Sequence, residues 1–185
     1  MELTRNQFDI LTFLERNDEQ TFTQRELAKE LNLSLGTINN NLTSLQDLRF
    51  LKDGKLTEKG FEALEPYRVK RAIFIAAGYG SRLVPITLNT PKPLVRVHGK
   101  RIIDGLLDAV IAAGIEDIVI VRGYLSEQFD QLLYKYPNLK FVENPIYNEA
   151  NNISSAICVR YLFQNTYVLE GDLLISNPNL ITKYQ

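Results

Sequence analysis

Apolar positions fall into two rhythms along these 185 residues. In the first third they keep helical spacing; beyond it, buried-type strands alternate with helices. Phe8, Leu11 and Leu14 recur at helical spacing behind Thr4, a residue suited to capping a first turn. Thr23-Gln24-Arg25-Glu26 reads as a capping box, in which hydroxyl and carboxylate each meet an end amide. Leu27 and Leu31 give the stripe of that second helix, and Ser34 can cap a third that carries Ile38, Leu42 and Leu45. Phe50-Leu51-Lys52-Asp53-Gly54-Lys55-Leu56 predicts two short strands about an Asp-Gly turn. Thr57 can cap a last helix through Phe61 and Leu64. Pro66 removes an amide donor and restricts its predecessor, so residues 66–69 read as a joint between units at 1–65 and 70–185.

The second unit predicts strands at Arg71–Ala76, Ile118–Val121, Lys140–Glu143 and Tyr167–Glu170, with helices at Ile102–Ala113 and Asn152–Phe163. Such alternation implies an α/β fold with a mostly parallel sheet covered by helices. Ligands of such sheets lie beyond the carboxyl ends of the strands, which places the chemistry just after residues 76, 121, 144 and 170.

Composition refines this picture in three ways. Residues 1–66 carry 8 Lys/Arg against 12 Asp/Glu, and the rest 13 against 10, a division that fits two units with different tasks. Cys158 is the single cysteine, so no intrachain disulfide can form, and a reducing cytoplasm is the expected location. No apolar run approaches the roughly 20 residues that cross a bilayer, and no secretory signal opens the chain.

Directly after the first strand of the second unit stands Ala77-Gly78-Tyr79-Gly80-Ser81-Arg82-Leu83. A triphosphate needs converging backbone amides, which glycines at 78 and 80 leave unobstructed. Arg82 adds a cationic fork for phosphate oxygens. Pro91-Lys92-Pro93-Leu94 holds one ammonium between two prolines. A bare Gly-x-Gly is also what a tight strand-to-helix turn contains, and both the third dinucleotide-fingerprint glycine and a Walker Gly-Lys-Ser/Thr are lacking. At the end of the last strand, Glu170-Gly171-Asp172 offers Asp172 as a hard oxygen ligand for Mg²⁺, or as a turn or cap residue. Glu170 is expected to face away, because it shares a face with Asp172 only if the strand continues through Gly171.

Taken together, the strand, the Ala-Ala-Gly-x-Gly-Ser-Arg-Leu run and the Pro-Lys-Pro-Leu run resemble the nucleotidyltransferase superfamily that makes nucleoside-diphosphate sugars and cytidine-diphosphate alcohols. The resemblance runs from about Lys70 to the last residue and implies a partial Rossmann-like α/β/α sandwich. It implies that Ala77, Gly78, Tyr79, Gly80 and Ser81 cradle phosphates, that Arg82 holds the departing β- and γ-phosphates, and that Lys92 meets the α-phosphate. Asp172 would be the metal ligand, with Mg²⁺ as cofactor. The segment Tyr147-Asn148-Glu149-Ala150-Asn151-Asn152-Ile153-Ser154-Ser155, with Gly123-Tyr124-Leu125-Ser126-Glu127-Gln128-Phe129, resembles bacterial choline-phosphate cytidylyltransferases. It makes Asn152 and Ser155 candidates for reading the nucleotide, although Asn151 or Asn152 could equally cap a helix. CTP and phosphocholine, or a similar phospho-alcohol, are the expected substrates, with a sugar 1-phosphate as the alternative acceptor. Relatives carry a second metal carboxylate, more strands and the acceptor pocket beyond the point matching Gln185, so the catalytic domain is expected to be truncated here. His98 reads as a loop residue, Cys158 as core, and Tyr134 and Tyr136 as helix-end packing.

The first unit has the element order of a winged helix-turn-helix. With Leu56-Thr57-Glu58-Lys59-Gly60 after the wing, it resembles the winged-helix domains of regulators of the multiple-antibiotic-resistance type. That resemblance implies a DNA face of Thr37, Asn39 and Asn40 (with Thr43 and Ser44) on the third helix and Lys52 and Lys55 on the wing, or else a regulatory or homodimerising module. A DNA-binding regulator whose transferase-like unit senses nucleotide is the competing class of function. The net −4 of this unit weighs against DNA, whose binding rests on cationic charge.

Overall fold

Four hydroxyl caps set the helix starts in the first part of the chain. Helices α1 (Arg5–Arg16), α2 (Gln24–Glu30), α3 (Leu35–Asp47) and α4 (Glu58–Leu64) follow Thr4, Thr23, Ser34 and Thr57, whose side-chain oxygens accept from the amides of Gln7, Glu26, Thr37 and Gly60. Two caps are reciprocal. Gln7 Oε1 accepts from the Thr4 amide at 3.0 Å, and Glu26 Oε2 from the Thr23 amide at 2.7 Å. Each such cap contributes about 1 kcal/mol. The bond from the Thr23 amide, then that from its hydroxyl, hold the Glu26 carboxyl below its ordinary range.

Strands β1 (Leu51–Lys52) and β2 (Lys55–Leu56) pair antiparallel, with Leu51 opposite Leu56 and Lys52 opposite Lys55. Asp53 and Gly54 turn the chain at φ 51° and 79°, as a two-residue hairpin with the right-handed strand twist requires.

The structure is a computed structural model that describes residues 2–149 and 152–184. It divides into one unit of residues up to Arg68 together with Tyr184, and a second of Val69–Lys183. In the first, Ile10, Leu11, Leu27, Ile38, Leu45 and Leu64 are fully buried and form the core, which Tyr184 joins. Burial, then the bond its hydroxyl donates to Glu15 Oε1 at 2.9 Å, push the Tyr184 phenol up.

In the second unit, β3 (Arg71–Ile75), β6 (Asp117–Arg122), β7 (Lys140–Glu143) and β8 (Thr166–Glu170) form one sheet in the order β7-β6-β3-β8, with every ladder parallel. A hairpin of β4 (Arg96–Val97) and β5 (Lys100–Arg101) precedes α5 (Ile102–Ala112). His98 and Gly99 make its turn at φ 49° and 83°, so His98 is a turn residue. Side chains of β3 and β6 alternate between two cores. Ala72, Phe74, Ile118 and Ile120 pack under α5 with Ile103, Leu107 and Val110, while Ile73, Ile75, Val119 and Val121 face Val159. At the amino edge of the sheet, Arg71 and Lys140 both bind Asp117. Partial burial works to raise the Asp117 pKa, but those bonds outweigh it and hold the carboxyl below its usual value.

Two expectations are corrected here, and one element is added. The helix starting at Asn152 is α6 (Asn152–Cys158), shorter than predicted. It breaks at fully buried Val159 (φ −118°, ψ 12°), and a 3-10 turn at Arg160–Leu162 follows. Residues Ser126–Tyr134, for which the sequence predicts no element, form a 3-10 segment with Phe129 and Leu132 buried three residues apart. Tyr134 is 95% exposed and packs no helix end, whereas Tyr136 is buried and its hydroxyl donates to Asp108 Oδ1 at 2.8 Å.

Candidate active site

The parallel register brings the carboxyl ends of the strands to one edge. Beyond them the Ala76 amide donates to Val121, the Gly171 amide to Ile75, the Tyr124 amide to Ala77 and the Asn144 amide to Arg122. The loops that leave this edge carry most of the polar residues singled out from the sequence.

Immediately after β3, Gly80 adopts φ 63° and leads into a 3-10 turn at Ser81–Leu83. A side chain at Gly80 would stand 3.0 Å from Lys92 Cβ and 3.1 Å from Thr87 Cγ2. Gly80 therefore lets the segment 87–92 return against the phosphate-type loop, and the Thr87 hydroxyl closes that contact on the Gly80 carbonyl at 2.9 Å. Two side chains of the Gly123–Phe129 segment hold the returning loop. The Tyr124 hydroxyl donates to the Thr87 and Leu88 carbonyls at 3.0 and 2.9 Å, and Gln128 Nε2 to the Asn89 carbonyl at 2.8 Å. Lys92 then opens a short 3-10 turn with Pro93 and Leu94 buried beneath it.

The result is a cleft of about 490 Å³, lined by Gly78, Gly80, Ser81, Arg82, Lys92, Asn152, Glu170 and Asp172 together with apolar Ile75, Ala76 and Pro93. Two cations and two carboxylates thus share one concavity. Lys92 Nζ is ion-paired with Asp172 Oδ2, and both side chains are partly buried. Among the described residues, no atom other than those of Gly78 and its chain neighbours lies within 4 Å of where a Gly78 side chain would be, so the loop leaves open space there.

Glu170 corrects the expectation that it faces away. Strand β8 ends at Glu170, a turn closed by the Leu173 amide on the Glu170 carbonyl at 3.3 Å follows, and Glu170 and Asp172 line the same cleft. Asn152 Nδ2 donates to Glu170 Oε1 at 3.1 Å, which holds this second carboxylate at the start of α6. Sequence reading missed Glu170; the signal was the spacing of two acids about a glycine at the strand end. The expected cap residue Asn151 lies outside the described residues.

Three residues expected to touch nucleotide have side chains that do not line this cleft. Ser155 is buried, and with Ser154 it accepts from Asn144 Nδ2 at 2.9 Å, so its hydroxyl anchors α6 to the end of β7. Ala77 is buried and serves through its carbonyl. Tyr79 lies against Tyr124 and Tyr147 at ring-centroid distances of 4.8 and 5.3 Å. A bond with Tyr79 is the main reason the Tyr147 phenol is raised. Cys158 is part-buried, its thiol 3.9 Å from Asn144 Oδ1, in keeping with a packing role.

Among the described residues no three His, Cys, Asp or Glu side chains form a preformed metal cage. Asp172 and Glu170 suit Mg²⁺ even so, because that ion binds one or two carboxylates and takes its other ligands from water and phosphate.

On the first unit, Asn39, Asn40, Lys52 and Lys55 are exposed, while the Thr37 hydroxyl meets Ser34 at 2.8 Å and the Ser44 hydroxyl accepts from Gln7. Helix α3 contains no Lys or Arg. A hollow beside α4, lined by Glu58, Phe61, Glu62 and Glu65, is anionic and unsuited to phosphate. Among the described residues no helix is long and apolar enough to cross a membrane.

Comparison with known proteins agrees with this division. The MarR family model matches residues 2–55 and the nucleotidyl transferase model residues 71–184. A 2-aminoethylphosphonate cytidylyltransferase of Lancefieldella rimae is 43% identical over 111 residues, covering 59% of this chain and 45% of that protein. A choline-phosphate cytidylyltransferase of Streptococcus pneumoniae is 44% identical over 102 residues, covering 55% and 44%. The solved structure of a CTP:phosphocholine cytidylyltransferase from Streptococcus pneumoniae superposes with a TM-score of 0.58 at 41% identity, over 63% of this chain and 50% of that one. The chain spans about half the length of these relatives. With a family model over most of its length and a phosphate-type cleft at the carboxyl edge of a parallel sheet, the chain belongs to the nucleotidyl transferase family.

Proposed function

We propose that this protein transfers CMP from CTP to a small phosphorylated or phosphonate acceptor, with phosphocholine the preferred candidate, and releases pyrophosphate. The observation that carries the reading is the convergence of Arg82, Lys92 and Asp172 on one cleft beside the Gly78–Ser81 loop. The choice of CTP rests on the names of the similar proteins above.

In this reading the loop amides and Arg82 hold the β- and γ-phosphates. An acceptor oxygen attacks the α-phosphorus in line, the bond to the bridging oxygen breaks, and pyrophosphate carries that electron pair away. Lys92 lies where negative charge grows on the α-phosphate, and a preorganised cation there is worth more than one that must be recruited. Asp172, with Glu170, would hold Mg²⁺, which when bound neutralises phosphate charge and orients the triphosphate. Asn152, fixed by Glu170, is the candidate for nucleotide contact at the start of α6.

Pyrophosphate release tests this directly, with each nucleoside triphosphate offered phosphocholine, 2-aminoethylphosphonate or a sugar 1-phosphate in the presence of Mg²⁺. Turnover confined to CTP with one of the first two acceptors supports the proposal. Turnover with a sugar 1-phosphate alone would replace the acceptor class, and none with any pair would sink the enzyme reading. Exposed Asn39, Asn40, Lys52 and Lys55 favour a second, compatible role for the first unit in contacting DNA. Duplex binding that weakens steeply with salt would support it.

A further inference from the structure

Lys92 and Asp172 have been given separate tasks, one toward phosphate and one toward metal, yet here each is the other's partner. The pairing is built into the backbone at both ends. Lys92 rises from a segment held against Gly80, where even a methyl group would meet Lys92 Cβ at 3.0 Å. Asp172 follows Gly171, where a side chain would meet Ala76 Cβ at 3.0 Å, the Ile75 carbonyl at 3.3 Å and Pro93 Cγ at 3.4 Å. Only the absence of a side chain at Gly171 lets Pro93 come this near, and the residues beside the two are Lys92 and Asp172. Both side chains are partly buried, 35% and 26% exposed, so water screens the pair incompletely.

We infer that Lys92 guards Asp172 against free divalent cations, so that metal enters this cleft together with a triphosphate rather than ahead of it. The inference rests on the proposed nucleotidyl transfer for its ligands and on the ion pair for its content. A divalent cation arriving alone must displace the ammonium from Asp172 and leave it beside the metal, without the carboxylate that had been its partner. A metal–triphosphate complex removes both penalties. The phosphates give the ammonium a new anionic partner, and the metal brings most of its ligands with it. The same exchange moves Lys92 from its resting partner to the phosphate on which charge develops, so Lys92 positions the metal step as well as acting on phosphate. Metal affinity and nucleotide affinity are therefore coupled, and by reciprocity each raises the other.

Mn²⁺ titration of the whole protein without nucleotide, followed by loss of the free-ion electron paramagnetic resonance signal, tests this. Lys92→Met and Lys92→Gln should each bind Mn²⁺ about tenfold more tightly than the unaltered protein, the effect of removing a partly screened competing cation. Asp172→Asn, alone or combined with Lys92→Met, should abolish that binding. Adding CTP should tighten Mn²⁺ binding strongly in the unaltered protein and much less in the Lys92 variants. Unchanged Mn²⁺ affinity in both Lys92 variants, with binding still lost in Asp172→Asn, overturns the guard and leaves the proposed function standing. Unchanged affinity in Asp172→Asn overturns the metal ligand and the guard together. Circular dichroism of each variant separates these outcomes from loss of fold, and the two Lys92 replacements give two independent chances of an intact protein.

Discussion

The two units build their functional and structural features with polar side chains of different reach. In the first, the helix starts are set by hydroxyls that close on amides three residues away, at Thr4, Thr23, Ser34 and Thr57, beside longer bonds such as Gln7 to Ser44 and Tyr184 to Glu15. In the second, polar side chains reach across the chain. Tyr124 bonds to the carbonyls of Thr87 and Leu88, Gln128 to that of Asn89, Asn144 to Ser154 and Ser155, and Lys92 to Asp172. Short-range closure starts helices and stabilises a fold. Long-range closure at the ends of parallel strands assembles a concavity with fixed charges, and the chemistry of this protein is expected there.

Substitutions that separate the two kinds of polar group should sharpen this contrast. The largest effect is expected from Asp172→Ala, which should lower the rate of nucleotidyl transfer by about 10³-fold or more while the melting of the first unit is unchanged; rate and melting curve check both halves. Ile38→Ala should do the reverse. Emptying a fully buried site in α3 should cost the first unit about 3 kcal/mol in a denaturant titration and leave CTP affinity as it was. Equal loss of CTP affinity in that variant would break the division of labour.

Asn144→Ala should cost about 2 kcal/mol, because it strips partners from the buried hydroxyls of Ser154 and Ser155. Since it also loosens the start of α6, the KM for nucleotide should rise more than kcat falls. A stability loss with KM untouched would make Asn144 a core residue only.

The smallest effect concerns pH. The Asp117 pKa is lower in the folded state, so the stability this carboxylate contributes is fully present above the ordinary value of about 4 and is lost as pH falls through the depressed folded value. The stability difference between the unaltered protein and Asp117→Asn should therefore be constant near neutrality and shrink at acid pH. A difference that widens on acidification would contradict the sign.

Legibility of the sequence followed the same division. Caps and apolar stripes are local, so the four helices of the first unit and the Asp-Gly hairpin could be read from neighbouring residues. The strands β3 and β6 were equally readable as buried apolar runs, and the part-exposed edge strands β7 and β8 as shorter segments with an apolar centre. The cleft was readable in part. Arg82, Lys92 and Asp172 stand out as charges at loop positions, and each lines the cavity. The sequence does not say that two of them are paired, since that depends on Gly80 and Gly171 bringing distant segments into contact. Ser155 looks like a ligand by motif but is buried by Asn144, a residue with no local signature. Glu170 looks like an outward strand residue, and only the folded cleft shows that it shares a concavity with Asp172.

The central claim is that the cleft at the carboxyl edge of the sheet is a nucleotide site in which Asp172 is essential. Isothermal titration of CTP in Mg²⁺ into the unaltered protein and into Asp172→Asn tests it most directly. Saturable one-to-one binding that weakens by about 100-fold or more in the variant is the expected result. Equal CTP affinity in the two proteins, or none in either while both are folded, would contradict it.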